Sequence, residues 1–430
     1  MQIINWDNPL LDHIFRRTTA EDKDVADQVS EIIKMVRIEG DEAVCRLNER
    51  FSGCVLTPEQ LVVTGGEKES AYNSVDEDFL AALRLAKENI TDFHQRQIRQ
   101  SWFQTGKNGV LLGQIVRPLQ RVGIYVPGGK APYPSSVLMN AIPAIVAGVP
   151  EIAMVTPPDS RGRINPHILV AASELGIEKI YKTGGAQAIA ALAYGTVSLP
   201  KVDKITGPGN VYVTYAKRQV YGTVDIDMLA GPSEVLIIAD ESANPAYVAA
   251  DLLSQAEHDE MAAVVVLTPS RILADKIQEQ VEVQARQLPK QQIISSSLDN
   301  YGAIVITCDL DQAFDLANRY APEHLELMVE TPFSRLDRVE NAGAVFLGHY
   351  SPEPVGDYLA GPNHILPTSG TARFYSALGV DSFIKKTSVI SYTPDGLQAV
   401  SDQLIKLAEV EGFAAHANAV RVRATVKDEG

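Results

Sequence analysis

Gln114-Ile-Val-Arg-Pro-Leu-Gln-Arg-Val-Gly-Ile-Tyr-Val-Pro-Gly-Gly129 reads as strand, turn, strand, closing on a glycine-rich loop. A new domain starts near Val122. Beyond it, short apolar strands alternate with helices: strand Ile152–Val155, helix near Pro166–Leu175, strand Lys179–Lys182, a helix from Ala186, strand Val202–Ile205 and a helix from Val211. Such alternation marks βαβ units around a parallel sheet. After Leu229-Ala-Gly-Pro-Ser233 it restarts: strand Glu234–Ile238, helix Ala246–His258, strand Ala263–Leu267, helix Ile272–Gln287, strand Ala303–Thr307, helix Leu310–Arg319 and strand Ala344–Leu347. The fold class is therefore α/β, with two Rossmann-like parallel-sheet halves of similar topology.

Upstream, residues 19–51 read as one helix, with Thr19 as cap and Glu21 and Asp22 in its first turn. A second amphipathic helix runs from about Asp78 to Gln100. Val400–Glu429 reads as helices with no further strand, an arm suited to packing on a partner subunit.

The 430 residues exceed one hydrophobic core and suggest about two or three folding units. A net charge of -16 without a basic stripe excludes nucleic acid as a partner. Cys45, Cys54 and Cys308 form no C-x-x-C and fit free thiols in a reducing compartment. The amino terminus lacks a signal pattern and no apolar run reaches membrane-spanning length, so a soluble, cytoplasmic protein without a membrane partner is expected.

In open parallel sheets, ligands bind at the carboxyl ends of strands and near helix amino termini. Lys182-Thr-Gly-Gly-Ala-Gln187 leaves a strand and opens a helix, so its backbone N–H groups can meet an anion; a tight turn needing small residues reads the same way. Ile205-Thr-Gly-Pro-Gly-Asn210 repeats the arrangement, with Asn210 as helix cap or ligand donor. Tyr125, before Pro127-Gly128-Gly129, can lie along a cofactor or simply pack. Three such loops on one sheet edge favour a nucleotide.

Arg319-Tyr-Ala-Pro-Glu-His-Leu-Glu-Leu327 sets a carboxylate, Glu323, beside an imidazole, His324, in a loop or first turn after Pro322. Imidazole takes a proton from an alcohol near neutral pH, and a neighbouring carboxylate activates water. In Asp251-Leu-Leu-Ser-Gln-Ala-Glu-His258 the three-residue spacing turns Gln255 and His258 to one helix face, where they can supply two metal ligands. Asp357 and His364 lie in a stiff Gly/Pro loop. Glu411 and His416 are polar positions in an alanine-rich stretch that also suits a partner-facing helix.

Together these motifs resemble the histidinol dehydrogenase family over nearly the whole chain. The resemblance rests on Val122–Gly129, Thr183–Gln187, Thr206–Asn210, Asp227–Glu234, Ser254–Asp259, Ala321–Glu326, Gly356–Tyr358, Gly361–His364 and Glu411–Asn418. It implies NAD-dependent, four-electron oxidation of L-histidinol to L-histidine through L-histidinal, with Glu323 and His324 catalytic. It implies Zn2+ held by Gln255, His258, Asp357 and His416, and substrate contacts from these residues with His324, Ser233, His364 and Glu411. Tyr125, Gln187 and Asn210 match NAD contacts. An intertwined homodimer is implied, in which the carboxy-terminal arm completes the partner's site.

The expected division of the chain is a small accessory domain (1–19 and 377–404), a first α/β domain (20–121 and 233–376), a second α/β domain with the NAD loops (122–232) and an arm (405–430). A same-fold dehydrogenase of another small polar alcohol is the nearest alternative, though it leaves Glu411 without an imidazole to bind. A zinc hydrolase, which leaves the nucleotide-like loops unexplained, is the second.

Overall fold

The structure, a computed structural model, describes residues 1–15, 22–128 and 132–424. The expected cap Thr19, Glu21, Gly129 and the end of the arm lie outside the described residues. The strands in chain order are β1 (Gln2–Asn5), β2 (Trp102–Thr105), β3 (Leu111–Pro118), β4 (Arg121–Tyr125), β5 (Glu151–Thr156), β6 (Lys179–Lys182), β7 (Lys204–Thr206), β8 (Asp225–Ile226), β9 (Glu234–Ala239), β10 (Ala263–Thr268), β11 (Gly302–Ile306), β12 (His324–Met328), β13 (Ala344–Leu347) and β14 (Ile384–Ser391).

Two compact units form. The larger joins Met1–Gln97 to Leu119–Phe383 and contains two parallel sheets. One has the order β6-β5-β4-β7-β8, the other β1-β11-β10-β9-β12-β13. Apart from the added edge strand β1, both place their strands in the spatial order third, second, first, fourth, fifth. Each therefore reverses direction beside its first strand, at β4/β7 and β9/β12. At the carboxyl end of the second reversal lies Asp240, its carboxylate accepting the N–H groups of Ser242 (2.9 Å) and Glu330 (2.9 Å).

The central strands of the six-stranded sheet are buried on both faces, as parallel strands between helix layers must be. Because side chains alternate along a strand, Val235, Ile237, Val264, Val266 and Ile304 join the helices 245–256, 271–285 and 291–301 in one core. Leu236, Ile238, Val265, Leu267, Leu325 and Leu327 face the helix Leu310–Tyr320 in the other. Each such buried aliphatic side chain contributes about 1.5–3 kcal/mol. On β12 this alternation sends Leu325 and Leu327 one way, and His324 and Glu326 towards the helix Pro245–Ala256.

Several boundaries differ from the sequence reading. The expected single helix over 19–51 is two, Lys23–Glu39 and Asp41–Ser52, broken at Gly40 with φ of 59°. Asp22 caps the first by accepting from Val25 N–H at 3.2 Å. These helices and Glu77–Gln95, expected with the first α/β domain, pack on the five-stranded sheet: Val29, Ile32 and Val36 meet the alanine face of the helix Gly185–Tyr194, while Leu83 and Ile90 meet the helix Pro134–Ala147. Residues 1–15, expected in an accessory domain, contribute β1 through parallel pairing with β11. The smaller unit is Ile98–Pro118 with the chain from Ile384 onward. It holds an antiparallel sheet, β14-β3-β2, followed by the helices Ser401–Val410 and Ala414–Ala424. No helix among the described residues is long and apolar enough to cross a membrane.

Candidate active site

Glu323 and His324 enter β12 from its amino end, so they lie at the opposite edge of the six-stranded sheet from the one where ligands of parallel sheets usually bind. The predicted pair thus lies in a helix-to-strand connection of this sheet, not in a strand-to-helix loop. The helix Pro245–Ala256 runs back from the carboxyl end of β9, and its last turn arrives beside the start of β12. The helix Leu310–Tyr320 ends at Ala321 in a left-handed conformation (φ 55°), and Pro322 then turns the chain into the strand.

Both members of the pair are tied to the backbone of Glu234 on β9. Glu323 Oε2 accepts the Glu234 N–H at 2.9 Å, and His324 Nδ1 lies 3.0 Å from the Glu234 carbonyl oxygen. A carbonyl only accepts, so Nδ1 carries the imidazole proton and Nε2 keeps its lone pair. Nε2 is buried without a hydrogen-bond partner, 3.9 Å from Asp357 Oδ1. Burial pushes the His324 pKa down to about 4, so the ring is neutral near pH 7.

Gln255, in the last turn of its helix, and His258 share one face because the helical turn continues past the formal end, with His258 N–H donating to Gln255 O at 3.2 Å. The Gln255 carboxamide lies 3.1 Å from His258 Nδ1. His258 keeps an exposed edge, yet surrounding protein holds its imidazole pKa below the ordinary value. The short helix Glu353–Tyr358 brings Glu353 and Asp357 to the same place, and His364 Nδ1 donates to the Asp357 carbonyl at 3.0 Å. Burial pushes His364 down to about 4 and Asp357 up to about 7. Glu353 is driven well above the carboxylate range by burial and by the charges of Asp357, Glu323 and Asp251.

His324, Glu353 and Asp357 each offer a ligand atom, all within 4.8 Å of one another. A bound cation would offset the cost of crowding these acids, and the neighbouring imidazole and carboxamide donors fit a borderline metal such as zinc. Sequence reasoning missed Glu353, Glu326 and Asp251. The signals available were the four-residue spacings Glu353–Asp357 and Asp251–Gln255.

Ser233 precedes β9, half-buried, its carbonyl accepting from Ala263 N–H at 3.0 Å. Glu411 closes the helix Ser401–Val410, and His416 lies in the next helix with its ring 5.1 Å from that of Phe413; both belong to the smaller unit and are exposed there.

Tyr125, Gln187 and Asn210 gather at the carboxyl edge of the five-stranded sheet. The Tyr125 hydroxyl accepts the Gly185 N–H at 3.2 Å. The buried Gln187 donates to Asn48 Oδ1 at 3.3 Å, and Asn48 also donates to the Lys182 carbonyl at 2.8 Å. Asn210 caps its helix by accepting from Val213 N–H at 3.2 Å, and its side chain is otherwise exposed. Gly207, with φ of 113°, passes so near the Tyr125 carbonyl that a Cβ would collide with it. Asp227 Oδ2 accepts the Gly207 N–H at 2.8 Å, Lys217 donates to the Gly207 carbonyl at 3.1 Å, and these two buried side chains form an ion pair. Asp227→Ala should therefore cost about 3–5 kcal/mol, because Lys217 is left buried and unpaired. A urea midpoint equal to wild type would rule out a supporting role for the pair.

The family model described as histidinol dehydrogenase matches residues 15–424. A histidinol dehydrogenase of Heliobacterium mobile is 54% identical over 423 residues, covering 98% of this chain and 99% of that protein. One from Moorella thermoacetica is 57% identical over 399 residues, covering 93% and 94%. The crystal structure of histidinol dehydrogenase from Elizabethkingia anophelis superposes with a TM-score of 0.94 at 41% identity, covering 98% of each chain.

Proposed function

We propose that this chain, which belongs to the histidinol dehydrogenase family, is an oxidoreductase that takes L-histidinol through L-histidinal to L-histidine in the cytoplasm, using NAD and a zinc-held substrate. The observation that carries this reading is the buried, unprotonated Nε2 of His324 beside Glu323, both fixed by Glu234.

His324 Nε2 removes the carbinol proton as the alcohol loses its first two electrons. Glu323 then takes a proton from water, which adds to the aldehyde carbon. His324, its proton released, accepts the hydroxyl proton of the hydrate as the second electron pair leaves. The low pKa of His324 keeps it in the base form for both uses. Holding the aldehyde in one pocket through both steps prevents its loss to solvent.

Gln255, His258 and Asp357, with the partner subunit's His416, would hold zinc; Glu411 would meet the imidazole of histidinol, and Ser233 and His364 would line the pocket. When bound, zinc orients the substrate's nitrogens and NAD accepts hydride in each oxidation. Tyr125, Gln187 and Asn210 flank the crevice at β4/β7, which supports them as NAD contacts. A homodimer with shared sites is favoured by the apolar side chains exposed beside Glu411 and His416 on the smaller unit, Leu407 (63%), Val410 (73%) and Phe413 (52%).

The direct test counts NADH formed per L-histidinol consumed by zinc-loaded protein. Two, abolished by a chelator and restored by zinc, is expected; none would send the search to other polar alcohols. Mixing inactive His416→Asn subunits with inactive His258→Asn subunits should return activity, since each heterodimer carries one intact site. No recovery would place the whole site in one chain.

A further inference from the structure

The carboxylate of Glu353 lies outside the acid/base pair and outside the ligand set assigned above, yet it is 0% exposed, as is Gln255. Gln255 can bind a metal only through its amide oxygen, so something must decide which way the amide faces. With the oxygen towards His258 Nδ1 (3.1 Å), the amide nitrogen donates to Glu353 Oε1 at 3.0 Å and Oε2 at 3.2 Å. With a cation bound beside it to offset the crowding of acids, Glu353 would be ionised, and in the reverse placement the amide oxygen would then face carboxylate oxygens, a repulsive contact between acceptors.

Glu353 is itself held in place. Its backbone N–H donates to Glu326 Oε1 at 3.1 Å, and the Glu326 side chain hydrogen-bonds that of Asp251, one turn before Gln255 on the same helix. Strand, long helix and short helix are thus pinned together behind the amide. We infer that Glu353 is a positioning residue that fixes the Gln255 carboxamide with its oxygen towards the metal. This rests on the zinc reading above. It also explains a weak ligand in this position, since an amide locked by a buried carboxylate loses no orientational freedom when the metal arrives.

The test measures zinc affinity of the full-length protein by competition with a chromophoric chelator, alongside the melting temperature of the metal-free protein. Glu353→Gln should weaken zinc binding by about 10–100-fold without a matching loss of thermal stability, because two facing amides hydrogen-bond equally well in either orientation. In a Gln255→Glu background either carboxylate oxygen can face the metal and no orienting partner is needed. There, Glu353→Gln should no longer weaken zinc binding, because it replaces a carboxylate facing the introduced carboxylate with an amide that can donate to it. The same loss in both backgrounds would mean that Glu353 ligates zinc directly or only supports the fold, and would overturn the inference. Wild-type protein that binds zinc no better than Glu353→Gln would overturn it while leaving the zinc reading intact. Wild-type protein that binds no zinc would remove both.

Discussion

His324→Asn should slow histidinol oxidation by about 10²–10⁴-fold, with KM for histidinol changed far less than kcat. Asparagine can keep a hydrogen bond to the Glu234 carbonyl, so the strand entry and Glu323 stay in place. What disappears is the lone pair of Nε2, the atom that is buried without a partner and turned towards Asp357. On the reading proposed above both oxidations use that lone pair, so both should slow together. Single-turnover NADH formation from histidinol, and separately from histidinal, reads the two steps. A variant within a few-fold of wild type on either substrate would remove His324 from that step.

Glu323→Gln should divide the two half-reactions. The amide oxygen of glutamine can still accept the Glu234 N–H, so His324 keeps its surroundings and alcohol oxidation should proceed near the wild-type rate. Water activation requires a carboxylate able to take a proton, and histidinal oxidation should fall by about 10²–10⁴-fold. NADH formed per histidinol should drop from two towards one while aldehyde accumulates, detectable by trapping with a hydrazine. Equal slowing of both steps would show that Glu323 acts by shaping the site around His324 and not on water.

Much of this site was legible because its residues lie in short sequence windows. Glu323–His324 is a dipeptide, and Gln255 and His258 are one helical turn apart. The strand that carries the pair was not read: in His-Leu-Glu-Leu-Met328 the polar positions look solvent-facing, yet His324 and Glu326 are both buried against the helix Pro245–Ala256. Periodicity reports which residues share a face, not what covers it. The rule for parallel sheets concerns loops after strands, whereas Glu323 and His324 lie where the chain enters β12 and Gln255 and His258 precede β10. The packing of the helices between Lys23 and Gln95 against those of the five-stranded sheet was not legible, because an amphipathic helix states that it packs, not on what. Glu353 was passed over because its importance depends on Gln255, almost a hundred positions away in the chain.

The two sheets repeat one strand order, but at the reversal of the six-stranded sheet the Asp240 carboxylate takes the N–H groups of Ser242 and Glu330, donors that a phosphate would otherwise use. On the two-oxidation reading proposed above, with the nucleotide at the β4/β7 crevice, the chain would work in relay. The first reduced nucleotide would then leave and a fresh oxidised one arrive while the aldehyde waits at the other sheet's edge, which would make cofactor exchange an obligatory beat in the middle of every turnover.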